Sequence, residues 1–260
     1  MLSLLDRAWR TVATAFCFAC FGLGGLLLRL AVFPLIALAV HEQRLRVALA
    51  RALIRHSMRA FVWLMRTVGV ISVEVHGAER LERSGLLVLA NHPSLIDVVL
   101  LIALVPDHNC VVKAALRRNP FMRGPVETAD FITNDGGPAL VDEAIASVRG
   151  GSNLIIFPEG TRTPVQGEGP RWQRGAANIA VRGGLPVTPV LIRSEPPMLR
   201  KGERWWQVPV RRAHYRLEVQ GDIDTAAVTA SAPSDAQAAR LFNDHLRNYF
   251  SHELNRPARA

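Results

Sequence analysis

The chain reads as an α/β fold: a mostly parallel, mixed sheet with flanking helices, preceded by a helical, membrane-anchoring N-terminal region. Three observations predict it. From Ile71 onward, short apolar runs alternate with helix-length segments, the βα alternation of a mostly parallel sheet. That part holds about 190 residues, comfortable for one core, and no internal repeat divides it. The first 70 residues are instead apolar and then arginine-rich.

Thr11 to Leu28 is a stretch of 18 residues without charge, followed by Arg29 and 11 more uncharged residues to Val40, with Pro34 inside. This is long enough to reach across or deep into a bilayer. A cleaved signal peptide ending near Ala37-Leu38-Ala39 is the competing reading. Asp6 in the expected basic segment and the length of the apolar run weigh against it.

From His41 to Val70 an amphipathic helix is expected. Arg44, Arg51, Arg55, Arg59 and Arg66 fall within an arc of about 80° at 100° per residue. A basic stripe beside an apolar face suits a membrane interface, each arginine adding about 1 kcal/mol toward anionic lipid. The other reading is a charged face on a helix packed against its own domain. Nine arginines against Asp6 and Glu42 give +7 up to Val70, while 22 basic and 20 acidic residues leave the remainder at +2. A nucleic-acid partner would call for basic residues spread over the folded surface, so none is expected.

Strands are read at Ile71–Val75, Leu86–Ala90, Cys110–Lys113, Phe131–Ile132, Leu154–Phe157 and Val187–Ile192, with edge strands at Val208–Val210 and His214–Val219. Helices are read at Ser94–Val105, Pro138–Val148 and Ala176–Val181. Ala226–Pro233 is small and polar, a linker. Ser234-Asp235-Ala236-Gln237 then opens a last helix with a capping box, its apolar face formed by Phe242, Leu246, Tyr249, Phe250 and Leu254. The expected division is 1–70, 71–225 and 226–260.

Two motifs carry chemistry. Asn91-His92-Pro93-Ser94-Leu95-Ile96-Asp97 places a histidine and a carboxylate five residues apart after an apolar run. A carboxylate on one imidazole nitrogen fixes the tautomer, and the other nitrogen can take a proton from a hydroxyl. Five residues turn a helix by about 500°, so the two side chains cannot meet inside one regular helix. His92 is therefore expected before the helix, with Pro93 at the first helical position and Asp97 in the first turn. Alone, the spacing also fits a structural pair.

Phe157-Pro158-Glu159-Gly160-Thr161-Arg162 ends a strand with Pro and Gly. The carboxyl end of a strand is where ligands bind in an open α/β sheet. Arg162 offers a planar fork of donors for an anion, and Gly160 allows close backbone approach. A strand-ending turn with a surface ion pair is the bland alternative.

In this order, about 65 residues apart, the two motifs resemble those of the glycerolipid acyltransferase family, the lysophospholipid or 1-acylglycerol-3-phosphate acyltransferases, with their His-x4-Asp and Phe-Pro-Glu-Gly-Thr-Arg. Gly184-Leu185-Pro186-Val187-Thr188-Pro189-Val190 resembles the family's later Val-Pro-x-x-Pro block, and the resemblance runs roughly from Val73 to Gln220. It implies a membrane-bound O-acyltransferase that moves a fatty acyl group from an acyl-carrier protein or CoA thioester to a lysolipid hydroxyl. His92 would be the general base and Asp97 its orienting carboxylate. Glu159, Gly160, Thr161 and Arg162 would hold the acceptor, and Pro186 and Pro189 would shape the site. No cofactor is implied beyond the thioester co-substrate. The place implied is the inner, cytoplasmic membrane, with the site toward the cytoplasm. Where the family has Phe-Ile-x-Arg, this chain has Phe131-Ile132-Thr133-Asn134, so Asn134 replaces an arginine associated with the acceptor's phosphate. Acylation of a specialised aminolipid, glycolipid or polyene lipid is thereby left open. A non-catalytic membrane-surface scaffold is the reading from another class. It leaves His92, Asp97, Glu159 and Arg162 unexplained.

Other residues say less. Cys17 and Cys20 form C-x-x-C inside the apolar run, where packing is the simpler role. The histidines show no metal-ligand spacing, so no metal is expected. Lys113 either faces the site or sits on an edge. Met198-Leu199-Arg200-Lys201-Gly202-Glu203-Arg204-Trp205-Trp206 mixes basic residues with paired tryptophans, which fits either a membrane interface or a loop with its tryptophans buried.

Overall fold

A computed structural model of the chain describes residues 2–119, 123–165 and 172–256. An apolar helix α1 (Leu2–Leu27) passes through one π turn (Leu28–Val32) into α2 (Phe33–Ala39), and α3 (Gln43–Thr67) returns antiparallel to it. Then follow β1 (Ile71–His76), β2 (Leu87–Ala90), α4 (Ile96–Leu104), β3 (His108–Val112), α5 (Ala115–Arg118), α6 (Arg123–Thr128), β4 (Ile132–Thr133), α7 (Pro138–Arg149) and β5 (Asn153–Ile156). α8 (Gly175–Gly183), β6 (Val187–Glu195), β7 (Ala213–Val219), α9 (Thr225–Thr229) and α10 (Asp235–Asn255) complete the described chain.

Seven strands form one sheet in the order β1-β7-β6-β2-β5-β3-β4. Every pairing is parallel except β6 with β7. The central strands β2 and β5 are buried and largely apolar on both sides because both faces are covered. Val88 and Ala90 of β2 join one core with α3 and α4, while Leu87 and Leu89 join a second core with α7, α8 and α10. β7 alternates along its first part: Ala213, Tyr215 and Leu217 pack into the first core, while the other face carries the partly exposed His214 and Arg216 and the buried Glu218.

Several expectations change here. His214–Val219 belongs to an inner strand, flanked by β1 and β6. Val208–Val210 is no strand, and its carbonyls are taken by arginines of α1. The expected linker after Ala226 is partly helix, since Asp224 caps α9 by accepting from the amides of Ala226 and Ala227. Ser234 does cap the last helix, accepting from Gln237 N.

The arginine stripe divides. Arg51 is buried and donates to Ala129 O, Asp107 Oδ1 and Ser152 Oγ at 3.0, 3.1 and 2.6 Å. Arg55 donates to Leu104 O at 3.0 Å. These two tie α3 to the sheet-bearing body, as in the packed-helix reading, whereas Arg44, Arg59 and Arg66 are exposed. Leu45, Leu49 and Trp63 are exposed beside them on the outward side of α3.

On α1 the exposed Leu5, Trp9, Val12, Phe16, Leu23 and Leu27 lie within an arc of about 60°. The opposite side is docked. Arg10 is fully buried and donates to Asp6 Oδ2, Pro209 O and Val210 O at 2.9, 2.8 and 2.5 Å, and Arg7 donates to Val208 O.

Candidate active site

The site lies at the carboxyl ends of β2 and β5, neighbours whose following helices go to opposite faces of the sheet: α4 packs in the first core and α8 in the second. A crevice opens where adjacent strands send their connections opposite ways, and ligands bind there in open α/β sheets.

β2 ends in a side-chain imitation of the ladder. Asn91 Nδ2 donates to Ile192 O and Asn91 Oδ1 accepts from Ile192 N, both at 2.7 Å. The β6 backbone is thus satisfied while the chain turns away. His92 follows in the turn before α4, as expected. Pro93 and Ser94 also precede the helix, so Pro93 is not its first residue. Asp97 is the second residue of α4 and is fully buried.

His92 Nδ1 lies 3.2 Å from Asp97 Oδ2, and the Ser94 amide donates to the same oxygen at 2.6 Å. Among the described residues, Asp97 Oδ1 has no hydrogen-bond partner. Burial pushes the Asp97 carboxyl up to about 6, opposed by its hydrogen bonds to His92 and Ser94 and by the charge of Arg162. With Nδ1–H donated to Asp97, Nε2 is the nitrogen left to accept a proton. The Phe157 ring stacks on the imidazole, centroids 4.2 Å apart, and limits its rotation.

The second motif closes on the first. Glu159 is buried, and its Oε1 accepts from the His92 amide at 3.1 Å. Burial also raises the Glu159 pKa. The Thr163 amide donates to His92 O at 2.8 Å. Gly160 permits this turn because its φ is +62°, a region that favours glycine. Arg162 Nη1 donates to the carbonyls of Leu199 and Arg200 at 2.9 and 3.5 Å, so part of its fork holds a loop.

Other sequence-predicted residues stand further off. Asn134 follows β4, the edge strand at this end of the sheet, and its Oδ1 accepts from Ala114 N at 3.0 Å. Lys113 is exposed at the end of β3. Arg117 and Arg118 lie close enough to Asp135 to help lower its pKa, after the larger effects of hydrogen bonds to Thr133 and to its own backbone. Arg123 is paired with Glu127. Pro189 is within β6, opposite Leu89. Pro186 precedes β6 at the amino-terminal end of β2, six residues and about 20 Å back from His92 by strand rise. The structure does not bring Pro186 to the imidazole.

Sequence reasoning missed three contributors. Ser94 supplies the shortest bond to Asp97, and its hydroxyl is 2.8 Å from the buried Tyr215 OH on β7. Thr163 fixes the His92 carbonyl. The Leu199 carbonyl takes both Arg162 and the Leu95 amide, the latter at 3.2 Å. The serine was visible inside its motif, but no local pattern marks Tyr215 or Leu199. The amides after Pro93, where a helix start could offer oxyanion donors to a thioester carbonyl, are all engaged: Ser94 with Asp97, Leu95 with Leu199, Ile96 with Ser94 Oγ. They are not available without rearrangement.

This paired-motif crevice coincides with residues 72–193, which match the family model described as Acyltransferase. The match covers 122 of the chain's 260 residues. The chain is 31% identical over 146 residues to a 1-acyl-sn-glycerol-3-phosphate acyltransferase of Pseudomonas aeruginosa, covering 54% of this chain and 56% of that protein. It is 36% identical over 135 residues to a lyso-ornithine lipid O-acyltransferase of the same organism, covering 50% of this chain and 51% of that protein. The chain spans about half the length of the curated relatives it matches. The likeness in fold extends further. The crystal structure of the 1-acyl-sn-glycerophosphate acyltransferase PlsC from Thermotoga maritima superposes with a TM-score of 0.67 at 21% identity, covering 99% of this chain and all of that one.

Proposed function

We propose that the protein transfers a fatty acyl group from a thioester to the hydroxyl of a lysolipid, with residues 71–225 as the acyltransferase domain. The observation that carries this reading is the convergence of His92, buried Asp97 and Glu159, drawn from two motifs, in one crevice. His92 Nε2 takes the acceptor's proton, the alkoxide oxygen bonds to the thioester carbonyl carbon, and the carbon–sulfur bond breaks. The imidazolium, held by Asp97, returns the proton to the leaving thiolate. A positioned general base of this kind contributes roughly 10²- to 10⁴-fold. The donor is acyl-carrier protein or coenzyme A.

The acceptor we favour is a lysolipid poorer in phosphate charge than lysophosphatidate, such as a lyso-aminolipid. Asn134 carries no charge, and its carbonyl oxygen is engaged by Ala114 N. A phosphate there loses a charge-assisted partner worth on the order of 1.5–3 kcal/mol. The similarity to a lyso-ornithine lipid O-acyltransferase points the same way. Lysophosphatidate is the second reading, favoured by Arg117 and Arg118 beside Asp135. A competition between the two acceptors for one acyl thioester, read by mass spectrometry, decides between them. Preference for lysophosphatidate by the wild-type protein would sink the aminolipid reading, and a gain of that preference in Asn134→Arg supports it. No thiol release with either acceptor would return the protein to the scaffold class.

The membrane attachment we infer is lateral. α1 through α2 is one apolar path of 38 residues, about 57 Å long against a hydrocarbon core of about 30 Å. Its inner side is held on the body at Arg7 and Arg10, while its outward side is an apolar stripe. This supports a helix lying in the face of the inner membrane, with the crevice on the cytoplasmic side.

A further inference from the structure

The loop between β6 and β7 exposes two adjacent tryptophans, Trp205 at 41% and Trp206 at 47%, with Val210 also exposed nearby. The reading with buried tryptophans is therefore wrong. Their rings pack edge to face, centroids 5.4 Å apart, and Arg204 lies over Trp206 at 5.2 Å. Such a cluster, apolar in body with polar and cationic atoms at its tips, suits the headgroup layer of a bilayer. Exposed Lys201 and Arg211 flank it, with no acidic neighbour in this loop except Glu203, which is engaged by Arg200 at 2.8 Å.

The loop is continuous with the apolar helix. Trp205 meets Phe18 of α1 with centroids 6.2 Å apart, and Arg7 and Arg10 of α1 grip the carbonyls of Val208, Pro209 and Val210. Its other end is built into the site. Lys201 N donates to Thr163 O at 3.2 Å, and the Thr163 amide donates to His92 O. Leu199 O receives both Arg162 and the Leu95 amide. Three residues of the motif region thus lean on the backbone of Leu199 to Lys201.

We propose that Trp205 and Trp206 are a second contact with an anionic bilayer surface, and that this contact steadies the loop carrying the Leu199 carbonyl, and through it Arg162 and Leu95 beside the imidazole. The inference rests on the lateral membrane attachment and the acyltransfer reading above. Bilayer contact would then raise turnover of an acceptor presented in a membrane, beyond what concentrating the enzyme at the surface provides.

The test uses the full chain reconstituted in vesicles of phosphatidylcholine and phosphatidylglycerol whose acyl chains carry bromine, a short-range quencher. Wild-type and Trp205→Phe/Trp206→Phe proteins are compared by tryptophan emission. Wild-type, Trp205→Phe/Trp206→Phe and Trp205→Ser/Trp206→Ser proteins are compared by turnover of a long-chain lysolipid in the vesicle and of a short-chain, water-soluble alcohol acceptor. The expected result is that bromine quenches the emission contributed by Trp205 and Trp206. The serine pair should lower membrane-acceptor turnover by at least about fivefold with little change for the soluble acceptor, and the phenylalanine pair should largely retain it. Emission from the pair that bromine leaves untouched while aqueous iodide quenches it would overturn the proposal, as would equal losses on both acceptors. If the pair is quenched by bromine but no acceptor is acylated by any protein, the bilayer contact stands and the acyltransfer reading is the one that fails.

Discussion

Asp97 receives its shortest hydrogen bond from the amide of Ser94, at 2.6 Å, and the imidazole of His92 stands further away at 3.2 Å. The carboxylate is thus held by the backbone of its own motif before it holds the histidine. Ser94 is held in turn from across the core by Tyr215. The orientation of the imidazole therefore depends on a strand more than 100 residues away, through one serine.

His92→Ala should lower acyl transfer by about 10²- to 10⁴-fold while leaving the fold intact, because the ring lies at the crevice and removes little core volume. Thiol release together with a melting curve checks both halves. Residual activity above a few per cent would remove His92 as the base. Asp97→Asn should be less damaging, since an amide can still accept from Nδ1–H but does not stabilise the imidazolium.

Turnover should fall as pH drops through about 6, where the buried Asp97 carboxyl takes up a proton. The stability contribution of this group runs the other way. Its folded pKa is raised above the ordinary 3.8, so the folded state binds more protons than the unfolded chain between about pH 4 and 6. Stability from Asp97 is greatest below that window and declines as pH rises through it. Denaturant melts at the two ends of the window, compared with Asp97→Asn, measure the decline; an unchanged pH dependence in the variant would assign it to other groups.

Tyr215→Phe should cost about 1 kcal/mol of stability, the usual net worth of one hydrogen bond, and should lower kcat more than it changes KM. Tyr215 touches Ser94 and not the imidazole, so it is a positioning residue. The discriminating readout is the acid limb of the pH profile, which should shift when Ser94 loosens its grip on Asp97. A stability loss with an unshifted limb would make the tyrosine purely structural.

Arg51→Met should destabilise by about 2–3 kcal/mol, since it strips a charged donor from Ala129 O, Asp107 and Ser152. Glutamine at Arg44, Arg59 and Arg66 should leave the melting point nearly unchanged and weaken binding to anionic but not neutral vesicles. Measured side by side, the two variants separate arginines that hold the body from those proposed to face lipid. Equal effects would show that the stripe acts as one surface.

Much of the site was legible because it is local. The five-residue spacing of His92 and Asp97 forces the histidine out of the helix, and it does stand before α4. Pro158 and Gly160 mark the strand end that brings Glu159 to the His92 amide. The division of the arginine stripe was not legible, because a helical wheel gives the angle of Arg51 but not that Asp107 and Ser152 wait beneath it. Val208–Val210 looked like a strand for a related reason: its composition suits extended chain, but its carbonyls pair with arginine side chains instead of a neighbouring strand.

What the sequence by itself determined is the alternation of elements, the apolar N-terminal helix and the residue types of both motifs, all set by periodicity, turn chemistry and short spacing. Only the tertiary structure decided which strands became neighbours. Placing β2 beside β5 brings Glu159 to His92, and placing β7 beside β6 brings Tyr215 to Ser94. Those choices come from burying both faces of one sheet at once, which couples residues far apart in the chain and leaves no trace in any short window of it.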